Sequence, residues 1–485
     1  MANREFAAYN GGMSQEPPIP KELWDLIPPA ARAALLAFLG NLQAELTDLR
    51  HQVADLNARL GQNSQNSSRP PSSDAPNVKR PPPRESSGRQ RGAQPGHEAH
   101  HRPLLPPDEE VPRKPTACRR CGAALTGSDP QPLLHQVLEL PPIKPLVTEY
   151  QLHRLVCPRC GTCTCGTLPD GVPTGQQGPR LQGVLAVLTG AYRLSKDQAA
   201  TLCDDVFNIP ICPGTICELE QQTTAALTPV VAELREHIKT EHANMDETGW
   251  REEGKRAWLW VVVTALVTVF HIARSRGGAV ARSLLGPGWH WVVTSDRYSA
   301  YSWLALRRRQ LCWAHLRRDF QAMIDRDNAG SAIGMELLLF SDDVFHWWYR
   351  VRDGTLKRSS MRTCIAEQRS WLRTLLKRGA VCGCARTAGV CRELQKLEQA
   401  LWTFLRVEGL EPTNNAAERA LRHAVLWRKS SYGTASAKGS RYVANILTVV
   451  ATCRQQGRNV LEFVTSCCQA RLQGRDAPSL LPTAG

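Results

Sequence analysis

The stretch NMDETGWREEGKRAWLWVVVTALVTVFHIARSR, residues 244–276, decides the fold. Val, Trp, Thr, Ile and Phe crowd it, and these types suit a pleated, half-buried surface. Glu253-Gly-Lys255 breaks it as a turn, and the run from Ala257 to Ile272 divides into two further strands, so Asp246 stands on the first strand of a meander. That run is shorter than the roughly 20 residues of a spanning helix, so no membrane partner is expected. Successive strand side chains point to opposite faces, so only one of Asp246 and Glu247 can serve a common site; Asp246 is the candidate.

Outward from this meander, Trp289-His-Trp-Val-Val-Thr-Ser-Asp296 reads as another strand ending in an acid, and Arg297–Trp303 reads as a helix. Taken alone, Asp296 reads first as a helix N-cap. Beside an acid on the first strand, it is also where a metal-dependent polynucleotidyl transferase needs a ligand. The third acid, Glu418, lies about one turn into a helix that Thr413 or Asn414 would cap, where an ordinary acid also favours the helix dipole. Phosphodiester cleavage needs an activated oxygen nucleophile, a stabilised pentavalent phosphorus and a neutralised leaving oxygen. Two Mg (or Mn) ions held by hard carboxylate oxygens meet all three needs.

The chain after Glu418 carries Arg419, Arg422, Arg428, Lys429, Lys438 and Arg441, with Tyr432, Gly433 and Ser436 interleaved, and no acid before Glu462. A segment so short of local ion-pair partners is a candidate surface for DNA phosphates; its bland alternative is a solvated helix face. The whole chain, 485 residues with 60 Lys+Arg against 45 Asp+Glu, has a formal charge of +15, which favours a polyanionic partner. The opening MANREFAAYNGG lacks a signal-peptide pattern, so a cytoplasmic protein is expected, at the nucleoid when bound to DNA.

Seventeen cysteines scattered through a chain of this size are not a secreted disulfide framework. Cys118-Arg-Arg-Cys121-Gly and Cys157-Pro-Arg-Cys160-Gly are two Cys-x-x-Cys knuckles, and four thiolates suit one tetrahedral structural zinc. The intervening LLHQVLELPPIKPLVTEYQLHRLV, residues 133–156, reads as paired strands that would bring the knuckles together. Cys163 and Cys165 are rival ligands with less suitable spacing. A module of residues 114–168 could grip DNA ends, hold a protein partner or staple a small fold.

Leu35, Leu39, Leu42, Leu46, Leu49, Val53, Leu56 and Leu60 alternate steps of four and three, the seam of a coiled-coil helix over about 33–60 within an N-terminal region 1–61. Self-association through it is expected. Residues 62–113, rich in Pro, Ser, Asn and Arg, read as a basic disordered linker, whose Arg69, Lys79, Arg80, Arg84, Arg89, Arg91 and Arg102 could track phosphates. Residues 169–240 read as helical and arranged like a helix-turn-helix, with Thr215 capping the second helix. That helix carries Glu218 and Glu220 and no Arg or Lys in TICELEQQTTAAL, which favours a structural role. Residues 241–470 form the expected catalytic domain and 471–485 a C-terminal tail, whose final DAPSLLPTAG, 476–485, reads as frayed.

The chain resembles transposases of the IS66 family on the heptad helix, NSSRPPSSD, GAQPGH, the paired knuckles, MDETGW, SDRYSAY, LCWAHLRRDF, EPTNNAAERALR and YGTASAKGS. The resemblance implies an α/β fold with a ribonuclease-H-like mixed sheet. It also implies a metal-binding triad of Asp246, Asp296 and Glu418, and a helical insertion at about 323–408. The activity implied is metal-dependent cleavage and strand transfer on double-stranded DNA, at element ends and target, with accessory proteins of the same element as further partners. His315 either lies near that site or packs beneath it. Two rivals share the features: a nuclease of the same fold that cuts without joining, and a non-catalytic DNA-binding regulator derived from a transposase.

Overall fold

The computed structural model describes residues 20–67 and 102–482. They fall into two compact units: one of residues 20–67, 315–343 and 370–392, the other of the remaining described residues. Most of the linker segment, with Arg69, Lys79, Arg80, Arg84, Arg89 and Arg91, lies outside the described residues.

In the second unit a short antiparallel hairpin, β1 (Arg154–Val156) and β2 (Cys163–Cys165), precedes the main sheet. That sheet comprises β3 (Ala243–Glu252), β4 (Lys255–Val263), β5 (Thr268–Ala273), β6 (Val293–Ser295) and β7 (Arg309–Leu311) in the order β5-β4-β3-β6-β7. The first three are antiparallel neighbours, while β6 runs parallel to both β3 and β7. The meander read from residues 244–276 is thus present, with its turn at Glu253-Gly254, both in left-handed backbone.

β4 is buried on both faces from Leu259 to Val262, which explains its unbroken apolar run. β5 is an edge strand, and the Ala437–Gln455 helix covers it. Thr448 Oγ1 accepts from Phe270 N at 2.9 Å, and Thr452 Oγ1 accepts from Thr268 N at 3.1 Å. Helix hydroxyls thereby satisfy donors that an open edge would present to another chain. The Pro213–His237 helix buries Ile216, Leu219, Leu227, Val230, Val231 and Leu234.

Several expectations are corrected. Residues 133–152 form no strand; beside an isolated bridge from Ala117 to Ala124 across the first knuckle, the pairing is that of β1 with β2, one on each side of the second knuckle, so Cys163 and Cys165 are hairpin residues. Residues 297–303 contain only a single 3-10 turn, Ser299–Tyr301, because the Tyr301 side chain is drawn into the core beside β3. Thr215 is no cap: the helix begins at Pro213 with Cys212 at the N-cap position, and the preceding helix, Lys196–Phe207, has the true capping box, Ser195 with Gln198. Glu220 of the supposed recognition helix is buried and paired with Lys196. The segment read as a frayed tail instead docks. Leu480 is buried and its carbonyl accepts from Gln456, while Ser479 Oγ donates to Glu233.

In the first unit the Pro29–Leu60 helix runs 32 residues, and the seam residues Leu35, Leu42, Leu46, Leu49, Val53, Leu56 and Leu60 are exposed. Asn66 Nδ2 donates to Asp325 Oδ2 at 2.8 Å, and Phe340 packs on Trp371 with ring centroids 5.5 Å apart. Helices Ser331–Arg352, Arg358–Ala380 and Ala385–Leu397 occupy most of the chain between β7 and the Glu418 helix. No helix among the described residues is long and apolar enough to cross a membrane.

Candidate active site

Asp246 is the fourth residue of β3 and half-buried; Asp296 immediately follows β6. The parallel register pairs Ala243 with Val293 and Asn244 with Thr294, so two residues further on it sets Asp246 level with Asp296. Neighbouring strands lie about 4.8 Å apart, so the two acids leave the sheet side by side at the carboxyl end of β6. β6 and β7 extend the same edge, with Ser295 opposite Leu311 and Cys312 N donating to Ser295 O at 2.9 Å.

Glu418 reaches this edge through its helix, Asn415–Ser431. Asn414 holds the N-cap position, as read from sequence, but its side chain does not cap the helix. Its Nδ2 donates to Met245 O at 2.7 Å and its backbone N donates to Cys312 Sγ at 3.2 Å, both in buried surroundings. The helix start is thus tied to the residue before Asp246 and to the residue after β7. Glu418 N donates to Asn414 O at 3.1 Å in the first turn, and a Glu418 carboxylate oxygen lies within 4.8 Å of Cys312 Sγ. Among the described residues, the three carboxylates do not stand as donor atoms all within 4.8 Å of one another. His315 lies in the first turn of the Trp313–Ile324 helix, half-buried.

Glu247, the acid set aside in the sequence, has a defined place. Its side chain is 1% exposed, with Oε2 accepting from Tyr301 Oη at 2.7 Å and Oε1 from Arg276 Nε at 2.9 Å. Arg276 also stacks over Tyr298, 3.8 Å from the ring centroid, and over Trp258 at 4.9 Å. Burial, and next the charge of Asp296, push the Glu247 carboxyl above the ordinary carboxylate range, against Tyr301 and Arg276, which pull it down. Tyr301 is raised well above its usual value by burial and then by Glu247, Asp246 and Asp296. Negative charge is therefore concentrated at this end of the sheet, and hard oxygen donors under mutual repulsion suit a divalent cation such as Mg. Part of the acids' coordination is already directed: Asp246 Oδ1 accepts from Glu247 N at 2.8 Å, and Asp296 Oδ1 from Tyr298 N at 2.9 Å. The only sequence signal for Glu247, Tyr301 and Arg276 was an acid on the core face of a strand.

The basic segment divides. Arg428 donates to Thr248 Oγ1 at 3.1 Å and to Gly249 O, so it anchors its helix to β3; burial lowers its pKa. Arg419, Arg422, Lys429, Lys438 and Arg441 are exposed. Between the two helices the chain returns to β3: Glu253 N donates to Thr434 O at 2.8 Å and Thr434 N to Arg251 O at 2.9 Å. Gly433, at φ 125°, is required there, since a Cβ would meet Arg251 O at 2.2 Å.

The knuckles repeat one geometry. Cys118 N donates to Ala123 O and Gly122 N to Cys118 O; Cys157 N donates to Thr162 O and Gly161 N to Cys157 O, all at 2.9 Å. Gly122 and Gly161 have φ of 73° and 71°, which a glycine adopts without strain. Hydrogen bonds lower the pKa of two of the thiols: Cys118 chiefly from the Arg120 and Cys121 backbone, Cys160 chiefly from Thr162. Turned backbones that present paired cysteines fit a zinc ion. Among the described residues the four sulfurs do not form a cluster of three or more within 4.8 Å.

Three family models match the chain. Residues 115–161, which contain all four knuckle cysteines, match the zinc-finger binding domain of transposase IS66, and residues 19–103 match a family of unknown function. Two curated relatives, both from Sinorhizobium fredii, are described only as uncharacterized proteins. y4qI is 27% identical over 250 residues, 46% of each chain, and y4hP is 24% identical over 387 residues, 70% of this chain and 68% of its own. The chain thus spans under half the length of the first. Residues 175–442, more than half of the sequence and inclusive of Asp246, Asp296, Glu418 and the sheet between them, match the transposase IS66 family. The chain belongs to the IS66 family of transposases.

Proposed function

We propose that the chain cuts and joins DNA strands at the ends of an insertion sequence, with Asp246, Asp296 and Glu418 holding two Mg or Mn ions on a ribonuclease-H-like sheet. The observation that carries this reading is the convergence of three separate elements. The β3–β6 register sets Asp246 beside Asp296, and Asn414 ties the Glu418 helix to Met245. The sheet order, three antiparallel strands followed by two parallel ones, supports the same fold.

Bound ions would lower the pKa of the attacking water or 3′ hydroxyl and offset charge on the leaving oxygen. The protein's part is to position their ligands. Asp246 is oriented by Glu247 N and Asp296 by Tyr298 N. Glu247, tied to Tyr301 and Arg276, keeps β3 and the Ser299–Tyr301 turn in fixed register beneath the two aspartates. Arg419, Arg422, Lys429, Lys438 and Arg441 supply a sequence-independent hold on phosphates. Cys118, Cys121, Cys157 and Cys160 would bind one structural zinc in a module that engages element ends, and the exposed leucine seam would join copies of the chain.

The test is cleavage and strand transfer of labelled element ends with a plasmid target. Asp246→Ala, Asp296→Ala and Glu418→Ala should each abolish Mg-dependent cleavage while DNA binding persists. Undiminished cleavage in any one would overturn the triad, and cleavage without joining in the wild type would reduce the protein to a nuclease.

A further inference from the structure

A cavity of about 310 Å³ opens beside the helix that carries Glu418, and the triad makes no use of it. Arg419, Ala420, Arg422, His423 and Leu426 line it from that helix, and Leu447, Val450, Ala451 and Arg454 from the Ala437–Gln455 helix, over Phe270 of β5. Its chemistry is two-sided. Arg419, Arg422 and Arg454 are exposed, and among the described residues none of the three guanidinium groups has a hydrogen bond or ion pair. No acid lines the cavity. The field is positive enough to register on His423, whose pKa is lowered by burial first and then by Arg193 and Arg454; its Nδ1 lies 3.3 Å from Arg193 Nη1.

Of the apolar lining, Phe270, Leu447 and Val450 are buried and so form the floor, Ala451 is half-buried, and Leu426 is exposed. A hydrated inorganic anion would gain nothing from such a floor, whereas a ligand with a charged end and a flat apolar body would use both parts. Guanidinium forks match phosphate oxygens, and apolar side chains accept the face of a base. The volume is at the lower end of the roughly 300–1,000 Å³ of small-molecule sites, which suits one nucleotide and excludes the paired width of a duplex. Arg422 lies one turn beyond Glu418 on the same helix, about 6 Å along its axis. The rise of a stacked duplex is about 3.4 Å per nucleotide and an unpaired strand is longer, so this is within one or two nucleotides of a phosphate at the carboxylates.

We infer that this cavity holds a single unpaired nucleotide of the strand that enters the active site, its phosphate on Arg419, Arg422 and Arg454 and its base against Phe270, Leu447, Val450 and Ala451. This rests on the DNA-processing reading and assigns it a preference for frayed or single-stranded ends over paired ones.

Fluorescence anisotropy on the full chain would compare a blunt duplex, the same duplex with a three-nucleotide overhang, and free dAMP as competitor. Wild type should bind the overhang about tenfold tighter than the blunt duplex, with dAMP competing only weakly. Ala451→Phe, which fills the floor, and Arg454→Ala, which removes one fork, should each bring overhang binding down to the blunt level, with blunt-duplex binding within about twofold of wild type and an unchanged melting temperature. Equal wild-type affinity for both duplexes, an overhang preference that survives both substitutions, or tight dAMP binding without that preference would each overturn the inference. Overhang preference without Mg-dependent cleavage would leave the cavity assigned and overturn the transposase chemistry instead; cleavage without overhang preference would do the reverse.

Discussion

The cysteine knuckles and the acid-bearing sheet hold their chemical groups by opposite means. Each knuckle closes within six residues, through two backbone hydrogen bonds and a left-handed glycine, and its surroundings bury almost nothing: Leu155 is 72% exposed and Val156 65%. Asp246, Asp296 and Glu418 span more than 170 residues of chain and are positioned by strands whose Leu259, Trp260, Val261, Val262 and Val293 are fully buried. A locally closed site forms wherever its few residues fold but has no core to stabilise it, so it depends on its ligand. A site assembled across the sequence inherits the rigidity of the core and fails when one of its ties to that core is cut.

The largest expected effect is Asp296→Ala, which should take Mg-dependent cleavage to background while leaving thermal unfolding unchanged or slightly improved, since it removes repulsion with Glu247. A drop of several degrees in melting temperature would mean that the acid is structural. Second, chelating zinc or substituting Cys118→Ser should unfold residues 114–168 and leave the sheet's melting transition in place. Structural zinc sites contribute about 10–16 kcal/mol at pH 7, all of it local to the module. Proteolysis mapping before and after chelation reads the outcome, and loss of the main transition would show that the two regions are one cooperative unit.

Third, Asn414→Ala leaves the buried Met245 carbonyl without its donor and should cost about 1–3 kcal/mol by denaturant titration. Its cleavage defect should exceed that of Ser436→Ala, which removes only a helix cap, worth about 1 kcal/mol, at the next helix. Equal defects would detach Asn414 from the site. Fourth and smallest at neutral pH, His271 in β5 is held neutral by burial and by Arg235, with its pKa lowered to about 4 from 6.5. The unfolded chain binds that proton first, so core stability should be full above pH 6.5 and decline as pH falls towards 4, by at most roughly 3 kcal/mol. His271→Asn should flatten the decline in urea melts; an unchanged slope would assign it to other groups.

The meander of residues 244–276 was readable because β4 and β5 consist of residues whose only favourable place is a buried strand, and the turn between β3 and β4 carries its own glycine. Over 133–152 the expected strands were not found, because alternation alone cannot form a sheet where no neighbouring surface buries one face. The helix expected after Asp296 failed for the opposite reason: Tyr301 gains more from the core and from Glu247 than residues 297–303 gain from helical hydrogen bonds. The tail looked frayed because a single pair of leucines, Leu480 and Leu481, is a weak signal until a groove exists to receive it.

By itself, the sequence determined the strands of the meander, both knuckles, the candidacy of the three acids and the strength of the basic segment after Glu418, since each depends on neighbours a few residues away. Only the tertiary structure decided that Asp246 and Asp296 stand level across β3 and β6, and that Asn414 ties its helix to the sheet instead of capping it. It also decided that Arg428 is an anchor while Arg419, Arg422 and Arg454 remain available around a cavity. The physical reason is the same each time: register, side-chain partner choice and cavities are properties of surfaces brought together from distant parts of the chain, and no local preference of a residue encodes which surface it will meet.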